Sequence, residues 1–201
     1  MKFTRKNIIT LPDPRLREKS AKIHEISPEV RDTIEQMKNA SIDWENSRPH
    51  EAAVAPAATQ IARHERVIII REDFEDKDNH NFTVLINPEI VKYEGKIESD
   101  DEGCLSVKDV YGKVPRWTKV RVRAIDEDGY EVRFKSPNAF LARVLQHEID
   151  HTNGICFVDH IAHSHDAFSV LNDKGDLVPV DFAKVEKMGI LPADEDNRAL
   201  E

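Results

Sequence analysis

Cysteine, long apolar runs and positive charge are all scarce in this sequence. Two cysteines in 201 residues, Cys104 and Cys156, are too few for a disulfide framework. They suit a reducing compartment, where thiols serve as metal ligands or core residues. No apolar run is long enough to cross a bilayer, and residues 1–7 lack the apolar core of a signal peptide. Positive charge is in deficit as well: 29 Lys and Arg against 38 Asp and Glu leave a net charge of −9. That argues against a general nucleic-acid binder and against a polybasic membrane patch. No internal repeat is evident. The expectation is a cytoplasmic protein, long enough to bury a core of its own in one domain with an extension.

What is present centres on Gln146-His147-Glu148-Ile149-Asp150-His151-Thr152-Asn153-Gly154. It contains H-E-x-x-H, and on a helix that spacing puts His147 and His151 one turn apart on a shared face. Two imidazoles so placed grip one metal ion, with Glu148 beside its open side. Ser136 as cap, Pro137 at the first position and Asn153-Gly154 at the end predict the helix bounds. Phe140 and Val144 precede His147 by seven and three residues, so an apolar wall continues along the histidine face.

Elsewhere, Ser27-Pro28 opens a helix with its apolar stripe at Val30, Ile34 and Met37. Residues 53–60 are small and read most simply as a packed turn. Strands are expected at 67–70, 82–86, 90–97, 118–125 and 130–134, and the acidic run at 98–102 reads as a solvated face. After the helix, 155–158 reads as a short strand. Asn172-Asp173-Lys174-Gly175 marks a hairpin, 181–188 a small helix ending at Gly189, and 193–201 an acidic tail. Strands preceding one metal-bearing helix favour α+β, with antiparallel strands around a central H-E-x-x-H helix. The expected division is a single catalytic domain over 1–166 and a C-terminal extension over 167–201.

Such a helix commonly takes one more protein ligand and leaves a position for water. A metzincin-type third histidine would fall at Phe157, which excludes that arrangement. Glu186 stays open as a ligand but sits in no recognisable context. His160, His163 and His165 read as surface histidines rather than a second site. Cys104 and Cys156 are the thiol candidates, and spacing does not choose between them.

Glu102-Gly103-Cys104-Leu105-Ser106, together with Gln146-His147-Glu148-Ile149-Asp150-His151 and Gly154, resembles the peptide deformylases. The similarity runs from about Leu11-Pro12-Asp13-Pro14 to Phe157-Val158-Asp159 and takes in Ile86-Asn87-Pro88 and Val114-Pro115-Arg116. The resemblance implies metal ligation by Cys104, His147 and His151, with Glu148 as the acid/base. It implies that Gln60 and the Leu105 backbone N–H face the substrate carbonyl, that Val54 and Ala55 meet the peptide, and that Glu102 and Arg116 support the Cys104 segment. Phe140 and Val144 would line the pocket for a methionine side chain. Iron(II) is the implied ion, with zinc, nickel or cobalt as replacements, since ligand type does not choose between iron and zinc.

One motif departs from the family. Its G-x-G-x-A-A-x-Q segment appears here with Ala53 and Ala55 at the glycine positions and Pro56 following, while Ala57, Ala58 and Gln60 are kept. Alanine does not tolerate φ > 0 as glycine does, and proline lacks an N–H. Tyr111 also stands where many bacterial members have an arginine that contacts the peptide. The implied function is removal of the formyl group from N-terminal formylmethionine on newly synthesised chains, releasing formate, near the ribosomal exit tunnel. Two other classes compete: a deformylase-like metal-binding protein weakened by the altered motif, and a zinc peptidase cutting internal bonds.

Overall fold

The computed structural model describes residues 3–48, 51–73, 76 and 78–193. Helix α1 (Pro28–Glu45) begins where Ser27 accepts a hydrogen bond from Val30 N. It buries Val30, Ile34 and Met37 against Val67, Ile69 and Ile86. Strands β1 (Val67–Arg71), β2 (Phe82–Cys104), β3 (Val107–Ile125) and β4 (Glu131–Lys135) follow. Helix α2 (Ala139–Thr152) comes next, then the single turn α3 (Phe157–His160), the hairpin β5 (Phe168–Leu171) and β6 (Leu177–Pro179), and α4 (Phe182–Lys187). All strand pairings are antiparallel; the sheet runs β1-β2-β3-β5-β6, and β4 also pairs with β3. The architecture is α+β, with α2 packed on β1, β2 and β3. Leu145 and Ile149 of α2 pack with Ile68, Val120 and Val122.

Three expectations are amended. The acidic run is solvent-exposed at 98–101 as expected, but it lies on a 23-residue strand and its last residue, Glu102, is buried. The run's charge is met by Lys96 at Glu98 and by Arg116 and Arg143 at Glu102. Register shifts near Asn87 and Gly95 let the ladder bend without ending. Second, Ser136 does not cap α2. Its backbone N donates to Val120 O and its Oγ accepts from Val120 N, so β3 occupies it, and Asn138 caps instead through Leu141 N at 2.8 Å. Third, 155–158 is not a strand: Asp159 accepts from Cys156 N at 2.8 Å and nucleates α3.

The hairpin and short helix after residue 167 form where expected, and Phe168, Val185 and Ile190 share a core with Val107 and Phe157. The acidic residues 194–201 lie outside the described residues. Among the described residues, no helix is long and apolar enough to cross a membrane.

Candidate metal centre

Local sequence sets the α2 side of the site. Helical spacing sets His147 and His151 edge to face, with ring centroids 4.9 Å apart. Gln146 clamps this turn to β3: its Oε1 accepts from Trp117 N and its Nε2 donates to Trp117 O. Gly154 ends the helix at φ +78, and a Cβ there would sit 2.4 Å from the Arg17 carbonyl oxygen. Position 154 therefore needs glycine for backbone sign and for space.

The opposite side comes from the sharp connection between β2 and β3. Cys104 ends β2, and Sγ lies 3.2 Å from His151 Nε2. Sγ also accepts from Ser106 N at 3.4 Å and from Gln60 Nε2 at 3.4 Å. Among the described residues, Cys104, His147 and His151 form the one histidine, cysteine or carboxylate group whose ligand atoms all lie within 4.8 Å. Thiolate plus two imidazoles is a donor set for zinc or iron(II). Beside it, Glu148 is 4% exposed, and its Oε2 has no hydrogen-bond partner among the described residues. A buried orphan oxygen next to three convergent donors fits a site built for an ion and its water. Burial pushes the Glu148 carboxyl up to about 8, against the opposing pull of charge on His147.

A buried charge network fixes these groups. Glu102 accepts from His147 Nδ1 at 2.9 Å, from Arg116 at 2.9 and 3.1 Å, and from Arg143 at 2.7 Å. Burial alone would raise the Glu102 carboxyl, but the His147 bond and the Arg116 charge hold it well below the ordinary carboxylate range. Arg116 also binds Asp150, and His160 Nε2 sits 2.7 Å from that carboxylate. Asp150 and His160 are thereby absorbed into supporting roles.

Gln60 is 1% exposed and held by three contacts: Ala57 N donates to its Oε1, and its Nε2 reaches both Ser106 Oγ and Cys104 Sγ. It faces a cavity of about 350 Å³ together with Cys104, Leu105, His147 and Glu148. Val54, Ala55, Phe140 and Val144 line the same space. The segment 54–57 is an extended strip beside β1 rather than a plain turn, with Ile69 N and Arg71 N donating to Pro56 O and Val54 O. Since a strand residue directs its N–H and C=O to one side, the donor missing at Pro56 falls on the β1 side, away from the cavity. Glu45, paired with Arg71 in the interior, accepts from Ala53 N at 2.9 Å and fixes where this strip begins.

Other candidates stand elsewhere. Glu186 lines a separate cavity with His163 and His165, which removes it as a ligand of this centre. Cys156 is buried, its Sγ 4.0 Å from Nδ1 of His151, the nitrogen turned away from Cys104. Sequence reasoning passed over Arg143, which donates to Glu102 and to the carbonyls of Glu98 and Val114. Its signal was a charged residue one turn before His147 on the face expected to be apolar. Leu171 and Leu177 of the hairpin also line the cavity, and nothing local in their sequence announces it.

Comparison with known proteins agrees with this geometry. A family model described as polypeptide deformylase matches residues 5–167. The peptide deformylase of Thermomicrobium roseum is 43% identical over 159 residues, 78% of this chain and 85% of that one. Peptide deformylase 2 of Vibrio parahaemolyticus is 38% identical over 155 residues, 77% and 85% of the two chains. Among solved structures, the Synechococcus elongatus peptide deformylase in complex with actinonin superposes with TM-score 0.70 at 34% identity, covering 78% of this chain and 80% of that chain. The Legionella pneumophila peptide deformylase gives 0.66 at 35% identity, covering 76% and 83%. A match over this span, with relatives 43% and 38% identical over most of both chains, means that the chain belongs to the polypeptide deformylase family.

Proposed function

We propose that this protein is a metal-dependent hydrolase that removes the N-formyl group from formylmethionyl peptides, releasing formate. The observation that carries the reading is the convergence of Cys104, His147 and His151 beside the unpaired carboxyl of Glu148. These residues would hold the ion, and a divalent ion there supplies Lewis acidity toward water and the formyl oxygen. Iron(II) is proposed, with zinc, nickel or cobalt as functional replacements.

The chain's own residues do the remainder. Glu148, buried beside the three donor atoms, takes the proton of the attacking water and hands it to the departing amine. The Gln60 side-chain amide and the Leu105 N–H donate to the carbonyl oxygen as charge develops on it. One such donor is commonly worth ~10²–10³ in rate. Glu102 holds the His147 ring through Nδ1, leaving Nε2 for the ion. Val54 and Ala55 run alongside the peptide, and Phe140 with Val144 forms the wall for the methionine side chain. The catalytic unit is assigned to 1–166, with 167–201 as an extension. Formylated chain ends arise on nascent chains, so the working place is assigned near the ribosomal exit in the cytoplasm.

The test uses anaerobic protein loaded with iron or cobalt and three peptides: formyl-Met-Ala-Ser, its acetyl analogue and the unblocked peptide. Formate from the first alone is the expected result. Metal retention with no turnover would select a binding role, and internal cleavage a peptidase.

A further inference from the structure

The residues matched by the family model stop at 167, yet the chain goes on to build part of the wall of the metal-site cavity. Strand β5 joins the sheet on β3, with Ser169 opposite Tyr111 and Phe168 opposite Gly112. Leu171 and Leu177 are cross-strand partners, so their side chains share a face, and both line the cavity that holds Cys104, His147 and Glu148. The hairpin is firmly held. Phe168 is 1% exposed and Val185 fully buried, Lys113 N donates to Ala167 O, and Val180 N donates to Phe168 O.

The cavity therefore has two apolar walls that meet β3 at different points. The α2 wall, with Phe140 and Val144, is tied at Val114 and Trp117 through Arg143 and Gln146. The hairpin wall stands at Tyr111 and Gly112. Between the cavity's flanks lies Tyr111, whose ring packs on Gly103, where a Cβ would sit 2.6 Å from it. Its hydroxyl donates to Glu51, on the opposite flank. Trp44 lines the space nearby. In the deformylase reading one side chain of a formylmethionyl peptide lies against α2, so that the residues after it run beside the 51–55 strip and come within reach of the hairpin wall. Leu177 is 38% exposed, a large apolar surface at the mouth with no covering element among the described residues.

We propose that the β5–β6 hairpin sets substrate preference: Leu171 and Leu177 contact the residues that follow the formylated methionine and favour apolar side chains there. The inference rests on the deformylase reading and adds to it a specificity wall supplied by the extension. Apolar pockets discriminate weakly per group but measurably, so the preference is about tenfold.

The experiment compares wild type with the Leu171→Ser/Leu177→Ser double variant, both metal-loaded. Substrates are formyl-Met-Leu-Leu, formyl-Met-Ser-Ser and N-formylmethionine amide, which has no following residue. Wild type is expected to show kcat/KM about tenfold higher for the Leu-Leu peptide, carried by KM. In the variant the two peptides should become equal, with the amide turned over at the wild-type rate. A wild-type ratio near one overturns the proposal, as does a variant that keeps the ratio or loses activity equally on all three. Intrinsic tryptophan fluorescence, with Trp117→Phe as background so that Trp44 alone reports, supplies a second readout without turnover. The deformylated Met-Leu-Leu peptide should bind the variant about tenfold more weakly than wild type, and equal affinity overturns the proposal. If wild type releases formate from none of the three, the deformylase reading fails and the titration alone decides the hairpin's role.

Discussion

Glu102 Oε2 lies 2.9 Å from His147 Nδ1, so the residue two positions before Cys104 in the chain orients an imidazole on another element. One carboxylate thus ties the strand end to the helix. It is itself held by Arg116 and Arg143. Removing Arg116 would leave the buried Glu102 and the part-buried Asp150 short of a shared cationic partner. Arg116→Ala should destabilise the protein by about 3–5 kcal/mol, measured by urea denaturation, and should lower metal content in parallel. A change below 1 kcal/mol would remove the network from its supporting role.

The ligand assignment separates the two cysteines. Cys104→Ala should abolish tight metal binding, because its sulfur is the third donor. Cys156→Ala should keep one ion per chain, since its sulfur stands behind His151 at 4.0 Å. Metal analysis after gel filtration checks both. Loss of metal only in the Cys156 variant would reverse the assignment.

Glu148→Gln should retain metal yet lose most turnover, as an amide cannot carry the proton. The comparison must be made at equal metal occupancy. Turnover close to wild type would eliminate Glu148 as the acid/base.

The altered first motif makes a prediction that the backbone geometry sharpens. Ala53 and Ala55 line the cavity, whereas Pro56 presents its backbone to β1. Ala53→Gly with Ala55→Gly should lower KM with little change in kcat, within the ~0.5–1.5 kcal/mol of one backbone hydrogen bond. Pro56→Leu alone should leave KM unchanged. Steady-state kinetics decide it, and a KM effect confined to Pro56→Leu would contradict the observed pairing.

At the helix end, Gly154→Ala should destabilise by at least about 1–2 kcal/mol, the cost of a left-handed backbone for an L-residue. Crowding against the Arg17 carbonyl adds to that cost. Thermal unfolding measures it, and an unchanged Tm would mean that the helix end rebuilds.

Sequence alone determined the features that depend on neighbours along the chain. The i, i+4 spacing of His147 and His151 places both on one helix face whatever surrounds them. The contiguous Glu102-Gly103-Cys104-Leu105-Ser106 segment carries the family likeness without any folding at all. Alternation marked the strand at 118–125, and turn residues marked the hairpin at 172–175. Tertiary structure decided the rest, because those choices are settled by groups distant in sequence. Ser136 lost the cap of α2 to Asn138 only because β3 claimed its polar atoms. The acidic run became a strand because β3 pairs with it from Glu98 to Glu102 and supplies Arg116 to the buried Glu102. Spacing along the chain did not separate the two cysteines and only the family resemblance pointed to Cys104; in the fold the β2–β3 connection carries that sulfur to the Nε2 side of His151, while Cys156 lies nearest Nδ1. Two leucines in an unremarkable hairpin reached the cavity because β5 paired with β3 at Tyr111, a contact between residues 58 positions apart. No local pattern encodes such a pairing; it exists only once the sheet has formed.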